Sequence, residues 1–263
     1  MAIDEGVTID AGAEGRMSLR EHISELRTRV MIAVAAIAVG TVICWIFYST
    51  IKGWFENPLC DVLEARGQLA IGEECALNVL DPLDSLTVRF KVAGYGGIAL
   101  AMPVILWQIW QFIMPGLYPH EKRYSIPFVF FGALLFVTGA ALGFWVIPRG
   151  LDFLIGIGGF NAEFTADRYF RFVTSMMLAF GIGFQFPIVL IFLQLTGLLS
   201  HKSLVKARRF AIVGIVILAA VISPTGDPIS LMVLSVPLYI FYEISIIFGW
   251  ARMRNKPADP LDA

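Results

Sequence analysis

Six apolar stretches recur along this chain, at residues 30–48, 88–114, 124–147, 172–195, 210–223 and 229–250, and each is at or near the length a helix needs to cross a bilayer. A helix rising about 1.5 Å per residue needs close to 20 residues to span about 30 Å of hydrocarbon. The run at 210–223 falls short, which calls for a locally thinned bilayer or shielding by neighbouring helices. Only 16% of the residues are charged and 57% are hydrophobic, against roughly 25% charged in a soluble domain, so the chain cannot cover a water-facing exterior. The expected fold is therefore an all-α polytopic membrane protein with six transmembrane helices. Ser223-Pro-Thr-Gly-Asp227-Pro leaves no room for a domain between the last two runs, so helices five and six form a tight hairpin. Pro127, Pro187 and Pro237 each remove a backbone donor and bend a helix where they fall.

The flanks set the domain organisation and the orientation. Residues 1–17 are mostly small, acidic and aperiodic and read as a disordered cytoplasmic tail, residues 18–254 as the membrane domain and residues 255–263 as a second cytoplasmic tail. The start lacks a basic region and a small-residue cleavage site, so no cleaved signal peptide is expected. From Ser18, Leu19, Ile23 and Leu26 recur at helical spacing between Arg20, Glu21, Glu25 and Arg29, predicting an amphipathic helix on the membrane surface. Basic residues concentrate beside that helix, around Lys122 and Arg123, from Lys202 to Arg209, and from Arg252 to Lys256. By the positive-inside rule both termini are cytoplasmic. The long loops 49–87 and 148–171 then face outward, and 51–63, with Trp54 and Phe55, is a candidate interfacial helix.

Catalytic chemistry has no foothold in this sequence. It holds no Gly-rich Lys-Ser/Thr phosphate loop, no Gly-x-Ser-x-Gly, no His-Glu-x-x-His and no cysteine or histidine spacing for a metal, so neither an enzyme nor a cofactor is expected. The net charge of -1 offers no basic face for nucleic acid. Cys60 and Cys75 share one outward loop and could form a disulfide or remain two thiols. Gly139-Ala-Ala-Leu-Gly143 lets helices approach closely. Within the apolar runs, Gln185 must find a hydrogen-bond partner in lipid, for which a helix of another protein is a candidate. Glu243 is open to a buried structural bond or to a functional polar contact.

The stretch MPVILWQIWQFIMPGLYPHEKR, residues 102–123, runs an aromatic helix to a Pro115-Gly116 break and then sets Glu121 in a short polar turn. Glu25 and Glu121 are the two carboxylates nearest the membrane boundary. Each could pair with its own neighbours, Glu25 with Arg29 and Glu121 with Lys122 or Arg123. Together they could instead select a ligand carrying paired arginines, because a planar guanidinium seeks a carboxylate.

The segments His22-Ile-Ser-Glu25-Leu-Arg27-Thr-Arg29, 102–112, Pro115-Gly-Leu-Tyr118-Pro-His120-Glu121-Lys-Arg123, 179–187 and 223–227 occur in this order around the six helices. Their combination resembles the TatC family, the multi-spanning receptor core of the twin-arginine protein translocase. The resemblance implies that Glu25 and Glu121 bind the consecutive arginines of a folded cargo's signal peptide, with Arg27 and Phe112 serving recognition or site geometry. It implies functional sensitivity at Pro58 and Asp227 in the outer loops. It also implies TatB-like and TatA-like single-helix partners, several copies within one complex, a bacterial cytoplasmic membrane location and the proton gradient as energy source. Several relatives carry glutamate where this chain has Gln185, which favours a hydrogen bond to a partner helix over titration there.

Overall fold

The computed structural model describes residues 19–65, 67, 77, 81, 83–113, 125–158, 165–195, 199–222 and 228–254. Residues 1–18, 114–124, 223–227 and 255–263 are among those outside the described residues, and with them Glu121 and Asp227, as is Cys75. The described elements are eight helices: α1 (Leu19–Ile46), α2 (Tyr48–Ala65), α3 (Asp84–Ile113), α4 (Ser125–Gly158), α5 (Ala166–Gly183), α6 (Phe186–Leu195), α7 (His201–Ile222) and α8 (Pro228–Arg254). Five stretches are long and apolar enough to cross a membrane, namely Arg20–Ile46, Asp84–Ile113, Ile126–Phe153, Ala166–Leu195 and Pro228–Ala251. With α7 they form the six-helix membrane unit that the apolar runs predict.

Three elements differ from the sequence expectation. The surface helix expected from Ser18 to Arg29 is not a separate element, because α1 runs unbroken through Arg29 and Val30 to Ile46. No glycine or proline lies at that junction to stop it, and the Thr28 hydroxyl donates back to the Ser24 carbonyl within the helix at 3.1 Å. The run at 210–223 is only the apolar half of α7, which begins at His201 and carries Lys202, Lys206, Arg208 and Arg209 in its first turns. The run at 172–195 is two helices, because the chain turns at Phe184-Gln185 between α5 and α6. Pro187 has no N–H for the Gly183 carbonyl, and the Gln185 N–H bonds to Ile182 at 2.9 Å in a tightened last turn.

The interruption at Phe47 between α1 and α2 is bridged by backbone bonds from Phe47 N–H to Ile43 at 3.1 Å and from Ile51 N–H to Phe47 at 3.2 Å. The Arg89 guanidinium from α3 donates to the exposed-end carbonyl of Trp45 at 3.2 Å and lies 4.5 Å over its indole ring. The helix that follows, α2, covers the interfacial segment expected at 51–63, and it buries Pro58, Leu59 and Val62. The Tyr169 hydroxyl ties it down by donating to the Phe55 carbonyl at 2.5 Å.

The core is built around α5, whose Tyr169, Phe170, Val173, Met176 and Phe180 are all but inaccessible. They pack with Leu59 of α2, Val88 and Val92 of α3, Val146 and Ile147 of α4, and Leu234 and Leu238 of α8. Phe130, Phe131, Leu134 and Val137 on the other face of α4 are exposed, as a lipid-facing surface requires. Hydrocarbon offers no hydrophobic gain for helix association, so close packing at small residues must supply it. Gly139 and Gly143 do this against α5, and a Cβ at Gly139 would sit 2.6 Å from the Phe180 carbonyl oxygen. Gly40 of α1 meets Gly97 of α3 the same way, at 2.7 Å from its carbonyl oxygen. Gly139→Leu is expected to destabilise the protein by about 1–3 kcal/mol through overpacking, lowering its thermal midpoint in detergent. Gly214→Leu, where a Cβ would meet nothing within 4 Å, is the control expected to leave the midpoint unchanged.

Candidate functional site

α1 and α3 run antiparallel, since Arg29 reaches Gln108 and Gln111, Gly40 meets Gly97, and Trp45 meets Arg89. This pairing brings the polar start of α1 against the last turns of α3. His22, Glu25 and Arg29 recur three and four residues apart and share one face of α1, while Gln108 and Gln111 share one face of α3. Arg29 Nη2 donates to Glu25 Oε1 at 3.0 Å. Its Nη1 donates to Gln111 Oε1 and lies 3.5 Å from Gln108 Oε1. The His22 ring stacks on Phe112 with centroids 4.4 Å apart and forms a wall beside the pair.

The seam is half dry: the Glu25 side chain keeps 18% and the Arg29 side chain 27% of its exposure. Glu25 Oε2 and Arg29 Nε are buried without a hydrogen-bond partner. A desolvated carboxylate oxygen left unmatched is costly, so this site is incomplete for a cationic donor. The structure thus pairs Glu25 with Arg29, the neighbour pairing that the sequence left open, and sets Phe112 against His22 on the same seam. Arg27 is exposed on another face of α1, and Glu121 lies outside the described residues. Gln108, Gln111 and the stacking role of His22 were missed. Two glutamines three residues apart on the otherwise apolar second half of α3 were the available signal.

The remaining sequence-selected residues lie elsewhere. Gln185, at the α5–α6 turn, donates from Nε2 to the Gly132 carbonyl of α4 at 3.0 Å, while its Oε1 is buried without a partner. Glu243 of α8 accepts from Arg208 of α7 at 2.7 Å and from the Tyr239 hydroxyl at 3.0 Å, so its carboxylate is satisfied within the chain. Near it, Gln194 donates to the Ser245 carbonyl at 3.0 Å and Tyr242 donates to the Leu204 carbonyl at 2.7 Å. His201 Nδ1 lies 3.0 Å from the Ile246 carbonyl. These bonds join α6 and α7 to α8, and Gln194 too went unnoticed in the sequence. Pro58 lines a cavity of about 600 Å³ between α2 and α4, beside Trp54, Asp61, Trp145 and Arg149. Lys91 of α3 pairs with Asp167 of α5. Cys60 is disulfide-bonded and Cys44 is a free buried thiol. Among the described residues no group of three histidine, cysteine or acidic side chains could hold a metal ion.

Residues 21–237 match the model of the Sec-independent protein translocase protein family, TatC. The chain belongs to the TatC family. It is 37% identical over 247 residues to the Frankia casuarinae TatC protein, covering 92% of this chain and 68% of that protein. To the Aquifex aeolicus TatC protein it is 35% identical over 245 residues, covering 91% of this chain and 98% of the other. A crystal structure of the twin arginine translocase receptor TatC superposes with a TM-score of 0.70 at 35% identity, over 88% of this chain and 99% of that one. In this TatC chain the Arg208–Glu243 pair joins α7 to α8 with both side chains partly exposed, and removing one partner leaves the other's charge unpaired at that contact. Arg208→Met and Glu243→Met are each expected to lower the thermal midpoint. The double variant should recover part of that loss, giving a coupling of about 0.5–1 kcal/mol in a double-mutant cycle.

Proposed function

We propose that this protein is the signal-peptide receptor and core scaffold of a twin-arginine translocase, moving folded proteins across the bacterial cytoplasmic membrane. The observation that carries this reading is the Glu25 carboxylate, held at the α1–α3 seam with one oxygen buried and unmatched beside the His22–Phe112 stack. Such a group awaits a donor, and a guanidinium supplies two in the plane of the carboxylate. Glu121 follows the end of α3 in sequence and supplies the second carboxylate for the second arginine. Arg27 orients the entering peptide from the exposed side of α1.

The protein acts as a transport component rather than a catalyst. With no nucleotide motif in the sequence, transport draws on the proton gradient. TatB-like and TatA-like single helices pack against α5–α6, α7 and α8, where Val213, Ile217, Val221, Val236 and Ile240 are exposed, with Gln185 at the α5–α6 turn and Glu243 on α8 as their polar contacts. Several copies assemble in one complex, with both termini cytoplasmic. Pro58, Asp227 and a Cys60–Cys75 disulfide shape the outer side, where Pro58 already packs α2 against the bundle.

Photocrosslinking of a twin-arginine signal peptide to the purified protein tests the receptor reading. Glu25→Gln and Glu121→Gln are each expected to weaken binding about tenfold or more, because each removes a charge-assisted bond worth about 1.5–3 kcal/mol. Binding by Glu121→Gln as tight as by the parent would overturn the two-carboxylate site. The disulfide is expected to appear as a Cys60–Cys75 cross-linked peptide in a non-reducing digest, and alkylated Cys75 in that digest would refute it.

A further inference from the structure

Arg29 makes, from within the chain, the contacts a ligand guanidinium would make. One terminal nitrogen donates to Glu25 Oε1 at 3.0 Å and the other to Gln111, with Gln108 3.5 Å away. The fit is poor, since Glu25 Oε2 and Arg29 Nε are both buried and unpartnered. A guanidinium meeting a carboxylate edge to edge forms two parallel hydrogen bonds. Arg29 reaches Glu25 along the same helix, one turn away, and makes only one. An arginine arriving from outside is not tied to α1 and can present a full edge to both carboxylate oxygens, which satisfies the stranded one.

We propose that Arg29 is a resident occupant of the arginine-recognition site, displaced when a twin-arginine ligand binds. This rests on the receptor reading of Glu25 given above. While the site is empty, Arg29 neutralises Glu25 and gives the desolvated carboxylate one partner. When the ligand enters, Arg29 swings out and leaves the Gln111 and Gln108 amide oxygens free to accept from the ligand. An occupant that must leave lowers the apparent affinity of every competing cation by the same factor, the fraction of protein in which the site is open. The ratio between arginine and lysine ligands is therefore unaltered. A lysine ligand, already weaker because a point charge cannot pair edge to edge, falls below the concentration at which it is captured. Arg29 thus sets an affinity threshold for the site and leaves the arginine-to-lysine ratio unchanged.

The alternative is that Arg29 is only a strut between α1 and α3, and the two roles predict opposite signs. Binding of fluorescent signal peptides carrying an Arg-Arg or a Lys-Lys pair would be measured on the full-length protein in lipid nanodiscs. The competitor role predicts that Arg29→Gln binds both peptides about three- to tenfold tighter than the parent, by a similar factor for each. Unchanged or weaker binding of the Arg-Arg peptide by Arg29→Gln would overturn it. Glu25→Gln separates this failure from that of the receptor reading: if the parent fails to bind the Arg-Arg peptide, or Glu25→Gln binds it equally well, the receptor reading falls. A mutation-free measurement covers the case in which Arg29→Gln does not fold. Dicarbonyl labelling of the parent, read by mass spectrometry, should modify Arg29 faster when the Arg-Arg peptide is bound, and an unchanged or slower rate refutes displacement.

Discussion

A backbone amide that enters hydrocarbon has only its own helix to bond with, and at two of the breaks in this bundle a polar side chain adds a bond across to a neighbouring helix. At the α1–α2 turn the Trp45 carbonyl receives the Arg89 guanidinium. At the α5–α6 turn, where Pro187 cannot donate, the chain tightens through Gln185 and its side chain reaches across to the Gly132 carbonyl. At these two breaks a polar side chain stands beside the turn. Between the bends it is held by close backbone approach at glycines, because lipid gives helices no hydrophobic reason to associate.

The α1–α3 seam joins these devices into one functional unit. The Gly40–Gly97 approach lies at its middle, Arg89 closes one end on Trp45, and Arg29 closes the other on Gln108 and Gln111. The close approach at the glycines fixes how far apart the two helices stand at their polar ends. The surroundings of Glu25 and Arg29 are thus set partly by residues several turns away. Because α1 is one continuous helix rather than a surface helix joined to a span, a movement at Glu25 is mechanically linked to the membrane-embedded part of α1.

Much of this was legible in the sequence because lipid leaves so few options. Six apolar runs dictated the helices, and the segments around Glu25 and Phe112 carried the family resemblance. The small-residue pattern at Gly139 and Gly143 correctly marked a helix contact. Other features depend on tertiary pairing that periodicity does not encode. Gln108 and Gln111 acquire meaning only because α1 continues through Arg29 and lies antiparallel to α3. Gln194 likewise becomes a tie between α6 and α8 only once Ser245 is brought opposite it. The length of α7 was obscured by Lys202, Lys206, Arg208 and Arg209, which interrupt the apolar run without interrupting the helix.

The central claim is spatial: the arginine pair of a signal peptide docks at the end of the bundle where α1 begins and α3 finishes. A photoreactive amino acid placed at Phe112, and in a separate variant at Trp145 on α4 beside the cavity under α2, tests this directly. The account predicts a signal-peptide adduct at position 112 that disappears when both peptide arginines are replaced by glutamine, and none at position 145. An arginine-dependent adduct at 145 with none at 112 would contradict it.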